Sequence, residues 1–356
     1  MKITLKTKLT PTDEQAKALL ETMEEFNKVC NWISEKAFEA KVFNAYNLHD
    51  LFYVQVREAF PVLPSQSVIR AIAKVSDSYK TDRKHQHFFR KYSAMEYDKR
   101  TLSFRDLSYA SLATIHGRIK VPLVFGHYAP LDRNKMCGQA DLITSGGKFF
   151  LNIVIDVPDG TPIDPKGFLG VDRGIVHLST DSEGESFSGE TVEHVRETIH
   201  ALKKALQKKG TKSAKRHPKK LSGREKRFRK DTNHVISKRI VSKAKGTGQG
   251  IALEDLKGFS GQPIVRKSQR ERFGKWAFDP LRQLITYKAS LEGIPVVFVD
   301  PRNTSRTCSV CGYCDKANRK SQAHFSCLKC STNENADLNA ARNIRFRATI
   351  NGPIAV

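Results

Sequence analysis

The pattern of apolar and polar positions changes period several times along the chain. KITLKTKL, residues 2–9, alternates and predicts a β-strand. From Thr10 the period lengthens. In LTPTDEQAKALLETMEEFNKVCNWISEKAFEA, Thr10 reads as an N-cap, Pro11 as the first helical position and Asp13 as a first-turn acid, and Leu19, Leu20, Met23, Phe26, Val29, Cys30 and Ile33 form one apolar stripe. AYNLHDLFYVQVREAF and LPSQSVIRAIAKVSDSYKTDRKHQHFFRKY predict further helices, so residues 10–93 are expected to form a helical unit. The short β-branched and aromatic segments TLSF, GRIKVPLVF, GQADLITS and KFFLNIVIDV then predict strands, with SGG turning the last pair into a hairpin. These strands are expected to share a sheet with residues 2–9, the helical unit being an insertion.

After PDGTPIDPKG, a linker by composition, FLGVDRGIVHLSTDSEGESFSGE reads as a β-meander whose first strand carries Asp172. Alternation places Arg173 on the opposite face from Asp172. GQGIALEDLKGF is a later apolar strand ending in Glu254 and Asp255, which face opposite sides. PVVFVD is another, and ADLNAARNIRFRATI is a helix with Asp337 in its first turn, where a carboxylate suits the helix dipole.

Charge narrows the picture. The chain has 356 residues, long enough for two or three domains, and a formal net charge of +24. Between Lys203 and Lys245 there are 18 lysines and arginines against Glu225 and Asp231, so +16 of that charge lies in one stretch. It reads as two helices, ETIHALKKALQKK and GREKRFRKDTNHVISKRIVSKAK, joined by GTKSAKRHPKKLS, whose Gly and Pro break the pattern. A solvated helix normally mixes signs. This one does not, which points to nucleic acid as the partner. No segment approaches the roughly 18 apolar residues of a membrane span, and MKITLKTKLT lacks a signal-peptide core.

Five of the seven cysteines lie between Cys308 and Cys330. An odd, clustered set is a poor disulfide framework and a good metal site, which predicts a reducing, cytoplasmic setting. Cys308-x2-Cys311 followed by Cys327-x2-Cys330 has the spacing of a four-thiolate structural zinc site. Cys314, which makes a second C-x2-C with Cys311, and His324 are alternative ligands by spacing alone. Cys30 and Cys137 sit in apolar surroundings and read as core thiols. The carboxylates call for a different metal. Three acids at strand ends and a helix start, in a strongly basic chain, suit hard divalent cations such as Mg²⁺ poised for phosphodiester hydrolysis.

GVDRGI, IALEDL and CSVCG…FSCLKC…NADLNAARNI together resemble the three acidic motifs of a RuvC nuclease domain, with a zinc ribbon placed before the third. That order is similar to the TnpB (OrfB) family of insertion-sequence proteins and, more distantly, to type V CRISPR effectors. The N-terminal helices resemble the start of that family's recognition lobe. The resemblance covers nearly the whole chain. It implies an α/β and α+β multidomain protein: a β-barrel-like wedge domain (1–9 and 94–160), a helical recognition domain inserted in it (10–93), an RNase H-like RuvC domain (161–303 and 333–356) and a zinc ribbon (304–332). It further implies that Asp172, Glu254 and Asp337 are the catalytic Mg²⁺ ligands, selecting Glu254 over Asp255, with Zn²⁺ structural on Cys308, Cys311, Cys327 and Cys330. The activity implied is RNA-guided, transposon-encoded cleavage of double-stranded DNA beside a short motif, by one RuvC site. The partners would be a guide RNA from the transposon end and the target DNA.

Two other readings are weighed. A nuclease-dead guided repressor of the same fold has no need of three carboxylates. A DDE-type transposase uses a similar site, but the ribbon before the third carboxylate and the basic insertion speak against it.

Overall fold

The computed structural model describes residues 1–104, 108–126, 136–256 and 278–351. The chain divides into two compact units, Met1–Pro158 and Asp159–Val356.

In the first unit, β1 (Lys2–Leu9) lies inside a seven-stranded sheet, ordered β2-β6-β7-β1-β5-β4-β3. The other strands are β2 (Met95–Tyr97), β3 (Leu102–Phe104), β4 (Tyr109–Thr114), β5 (Gly117–Val124), β6 (Met136–Ser145) and β7 (Lys148–Asp156). β1 runs antiparallel to β7 from Lys2↔Asp156 to Leu9↔Phe149 and meets β5 at its last residues. The β6–β7 turn is Gly146-Gly147, both at positive φ (60° and 73°), the conformation that fits the twist of a tight hairpin. The helices α1 (Asp13–Ala40), α2 (Ala45–Ala59) and α3 (Ser65–Thr81) are inserted between β1 and β2.

The expected stripe of α1 is inside: Leu19, Met23, Phe26, Val29, Cys30 and Ile33 are fully buried, and Leu20 is partly so. Burial pushes the Cys30 thiol up to about 12, so it is an inert core thiol. The side chain of Cys137 lies outside the described residues. The helix starts later than expected. Thr12, not Thr10, is the N-cap, because Thr12 and Gln15 bond each other's backbone N–H reciprocally in a capping box. Thr10 donates instead to the carbonyl of Pro122. The third helix also stops at Thr81, short of the expected extent. Beyond it, side chains from α1 take up the backbone groups of residues 87–93.

The second unit holds a five-stranded sheet ordered β10-β9-β8-β11-β12. These strands are β8 (Phe168–Asp172), β9 (His177–Asp181), β10 (Ser186–Ser188), β11 (Gly250–Glu254) and β12 (Val296–Val299). The first three in sequence are antiparallel, and β11 and β12 then add parallel to β8. A parallel return needs a long crossover, and α4 (Glu190–Lys209) and α5 (Lys212–Thr247) provide it between β10 and β11. Both faces are covered. Leu169, Val171, Ile251 and Leu253 pack with Ile236 and Ile240 of α5 and with Leu281 and Ile285 of α6 (Phe278–Leu291). Ala252, Val297 and Val299 pack with Ile344 and Ala348 of α7 (Ala336–Asn351).

The basic stretch departs from expectation. α4 ends at Gly210 (φ 65°), and α5 begins two residues later, capped by Thr211, whose side chain accepts the N–H of Ala214. It then runs through Pro218 to Thr247 as one 36-residue helix. An interior proline costs about 3 kcal/mol. Packing of α5 on the sheet, and the 2.6 Å ion pair from Lys243 to buried Asp181, offset that locally unfavourable residue.

Gly170 sets how closely α7 approaches β8. A Cβ built there would lie 2.1 Å from the Ala341 carbonyl and 2.5 Å from the Arg345 nitrogen, both backbone atoms. Gly170→Ala is therefore expected to destabilise the protein by about 2–4 kcal/mol, read as a fall in the urea midpoint. An unchanged midpoint would show that α7 moves freely on the sheet.

Candidate active site and metal centre

The parallel register puts two of the expected acids side by side. β8 and β11 pair from Phe168↔Gly250 to Val171↔Leu253, so Asp172 and Glu254 are the last residues of adjacent strands at the same end of the sheet. Asp337 enters that neighbourhood from the first turn of α7, the helix that Gly170 admits onto β8.

All three carboxyls are held above their ordinary range. Burial, followed by the charges of Glu254 and Asp337, pushes Asp172 up to about 7; the Arg173 backbone N–H and the Arg319 charge pull the other way. Glu254, 9% exposed, is raised by burial, against a hydrogen bond from Thr304 and the charges of Arg173 and Arg347. Asp337 is raised by burial, against Arg319 and His177. Three acids raised by burial, with the charges of Glu254 and Asp337 acting on Asp172, form in a chain of +24 a pocket that a cation would neutralise, so the donor set fits hard divalent ions. Their oxygens are spread more widely than a single coordination shell. Among the described residues, only the four cysteines discussed below bring three or more ligand atoms all within 4.8 Å of one another.

The supporting residues were not legible in the sequence. Thr304 donates its hydroxyl to Glu254 Oε1 at 2.6 Å and fixes that carboxylate. Arg173 is 6% exposed and donates from Nη2 to the Glu254 carbonyl at 2.8 Å. The expectation that Arg173 turns away from Asp172 is therefore met only in part: the guanidinium reaches across to the end of β11, and its charge still acts on Asp172. Arg319, from the cysteine-rich segment, lies 3.6 Å from Asp337 Oδ1. Of the Glu254–Asp255 pair, Glu254 is the one whose charge raises Asp172. The Asp255 N–H continues the ladder to the Val299 carbonyl.

The cysteines make a second site. Cys308, Cys311, Cys327 and Cys330 converge, with Sγ–Sγ distances of 3.6 Å for Cys308–Cys330 and for Cys311–Cys327. Four thiolates about 2.3 Å from a central tetrahedral zinc stand roughly 3.8 Å apart, so these residues fit Zn²⁺ with no open position. Hydrogen bonding by Thr332 and the neighbouring thiols lowers Cys330 to about 6, while Cys311, against a backbone hydrogen bond from Tyr313, is pushed up to about 12 by desolvation and the same thiol hydrogen bonds, so the four sulfurs share their protons unevenly. Cys314 is not in the cluster; it forms a backbone bridge with Thr307. His324 is exposed on β13 (His324–Ser326), which pairs with β14 (Asn333–Asn335).

The run NADLNAARN links the two sites. Asn335 accepts the N–H groups of Asp337 and Leu338 and so caps α7. Asn339 accepts the Ser309 N–H, next to Cys308, and donates to the Thr307 carbonyl. Asn343 donates to the carbonyls of Thr304 and Thr307. Ala340 and Ala341 are buried. Asn339 and Asn343, one turn apart, thus fasten one face of α7 to the segment that leads into the metal-binding knuckle.

This three-layer sheet with its cysteine ribbon defines a class already known in solved structures. A Cas12f1 chain from the cryo-EM structure of a Cas12f1–sgRNA–target DNA complex superposes with a TM-score of 0.67 at 16% identity, covering 94% of this chain and 83% of that one. Residues 278–344 match the family described as Cas12f1-like, TNB domain. The CRISPR-associated endodeoxyribonuclease Cas12f1 of Syntrophomonas palmitatica is 31% identical over 56% of this chain and 48% of its own length. "Putative RNA-guided DNA endonuclease InsQ" of Escherichia coli K12 is 28% identical over 79% of this chain and 74% of its own. In sequence the chain is similar to TnpB-like proteins and to Cas12f effectors, as its motifs indicated. The match spans about half the length of the Cas12f1 relative. Among the described residues, no helix is long and apolar enough to cross a membrane.

Proposed function

We propose that this protein is a transposon-encoded, RNA-guided, Mg²⁺-dependent endonuclease that cuts double-stranded DNA beside a short motif. The observation that carries this reading is the set of half-buried Asp172 and buried Glu254, at the matched ends of two parallel strands, with buried Asp337 from the start of α7, all three raised in pKa in a strongly basic chain. In this reading the sheet of the second unit is an RNase H-like RuvC domain (161–303 and 333–356) carrying a zinc ribbon (304–332). The seven-stranded sheet is a wedge domain (1–9 and 94–160), and the helices of 10–93 are a recognition domain. The guide RNA would come from the transposon end.

Divalent ions held by the three carboxylates would activate the attacking water and neutralise the leaving oxygen. The chain's own residues would then position those ligands. Thr304 orients Glu254, Arg173 ties the end of β11 to the end of β8, and Arg319 screens Asp337. Base pairing would carry the sequence specificity.

The test is to express the protein with its flanking genomic DNA and sequence any RNA that copurifies. The expected result is one transcript ending at the element boundary, with Mg²⁺-dependent cleavage of a plasmid matching it. No specific RNA, and no cleavage, would overturn the reading. Replacing Lys212, Lys215, Lys219 and Lys226 of α5 with glutamine is expected to flatten the salt dependence of nucleic-acid binding, since each lost phosphate contact reduces the log–log slope by about 0.7–0.9. An unchanged slope would make α5 a merely solvated helix.

A further inference from the structure

Residues 83–92, RKHQHFFRKY, carry four Lys and Arg and no acid. They follow α3 without regular secondary structure, yet they are tightly held. Three polar side chains on one face of α1 bond their backbone: Asn27 Nδ2 donates to the carbonyls of Lys91 and Ser93, Ser34 Oγ to that of His87, and Asn31 both donates to the Phe89 carbonyl at 2.9 Å and accepts the Phe89 N–H at 2.7 Å. Asn27 and Ser34 are themselves fully buried.

An extended backbone sends successive side chains to opposite sides. Here His87 turns inward, its ring edge-on to buried Tyr79 at 4.7 Å, and Phe89 packs against the core. Phe88 and Arg90 are thereby turned outward. Phe88 is 81% exposed, and Lys84, Arg90 and Tyr92 beside it are exposed as well. A large apolar ring pinned in water by a rigid segment, among cations, has the chemistry of a face awaiting a π-system with a phosphate attached.

We propose that Phe88 is a stacking platform for an unpaired nucleobase of a bound strand, with Lys84 and Arg90 holding the adjacent phosphates. The proposal rests on the nucleic-acid reading above and adds to it a specific contact in the first unit.

The test uses the full-length protein and two fluorescent 12-nucleotide probes, oligo(U) RNA and oligo(dT) DNA, titrated over a range of KCl, with parallel ultraviolet cross-linking of 5-iodouracil-substituted versions. Phe88→Ala is expected to weaken binding about 5- to 100-fold with an unchanged salt slope, and Phe88→Trp to restore it. Lys84→Gln with Arg90→Gln is expected to reduce the slope by about 1–2. The wild-type cross-link is expected in the peptide containing Phe88, and the probe giving the stronger cross-link identifies the strand as RNA or DNA. Because Phe88 is exposed, the alanine variant should melt with the wild type, which separates lost stacking from misfolding. Wild-type binding that Phe88→Ala leaves within twofold on both probes would overturn the proposal alone. No wild-type binding to either probe would overturn it together with the functional reading.

Discussion

Asp172→Asn is expected to reduce Mg²⁺-dependent DNA cleavage at least about 10³-fold while making the metal-free protein more stable at pH 8. The two effects run in opposite directions for one reason. A carboxyl raised to about 7 in the folded chain, against about 4 when unfolded, keeps a proton on folding that the unfolded chain has released between those values. The metal-free protein therefore loses stability as pH rises from about 4 to about 7, and stays at the lower value beyond. An amide carries no charge at any pH and escapes that penalty, which is on the order of 2–4 kcal/mol. The melting curves of variant and wild type should separate by several degrees at pH 8 and converge near pH 4. Added Mg²⁺ should close the gap at pH 8 by raising the wild type alone. A variant that melts below the wild type at pH 8, or that still cleaves, would remove Asp172 from the site.

How much of this was legible depended on whether the signal was local. The α1 stripe, the Gly146-Gly147 turn and the paired C-x2-C motifs each occupy a few consecutive residues with one physical solution. The strands β2 and β4 were missed because MEY is short and YASLAT is rich in small residues; β-propensity of that kind is decided by the neighbours a segment pairs with. The start of α1 was placed two residues early because Thr10 and Thr12 are both good caps in isolation, and only the reciprocal bond with Gln15 chooses between them. Pro218 is a local helix breaker, and only the packing of α5 on the sheet, which no local pattern carries, keeps the helix continuous through it. The acids themselves could be picked out, but Thr304, Arg173 and Arg319 could not. They reach the site from 50, 81 and 18 residues away from the groups they touch, and no spacing rule spans such loops.

Asn339 joins the cysteine-rich segment to the helix that carries Asp337. Cys308 and Cys327 share a buried cluster with Phe325 and with Ala336, the first residue of α7. The Ser309 N–H, one residue from Cys308, is bonded to Asn339, and Asn339 is two residues from Asp337. With zinc bound, the knuckle is rigid and those bonds hold the start of the helix. Without it, the apparent metal-binding free energy, on the order of 10 kcal/mol in small zinc domains, no longer orders the segment. Cys308→Ser is therefore expected to abolish stoichiometric zinc in elemental analysis and to lower cleavage at least about 100-fold, though the residue lies outside the acidic cluster. Cys314→Ser, outside the thiolate cluster, should keep both zinc and cleavage. Nucleic-acid binding through the first unit should survive in either variant, because α1–α3 and their sheet form a separate compact unit. Loss of zinc with undiminished cleavage would mean that α7 is held by its packing at Gly170 and by Asn343 alone, and that the ribbon serves some purpose other than fixing Asp337.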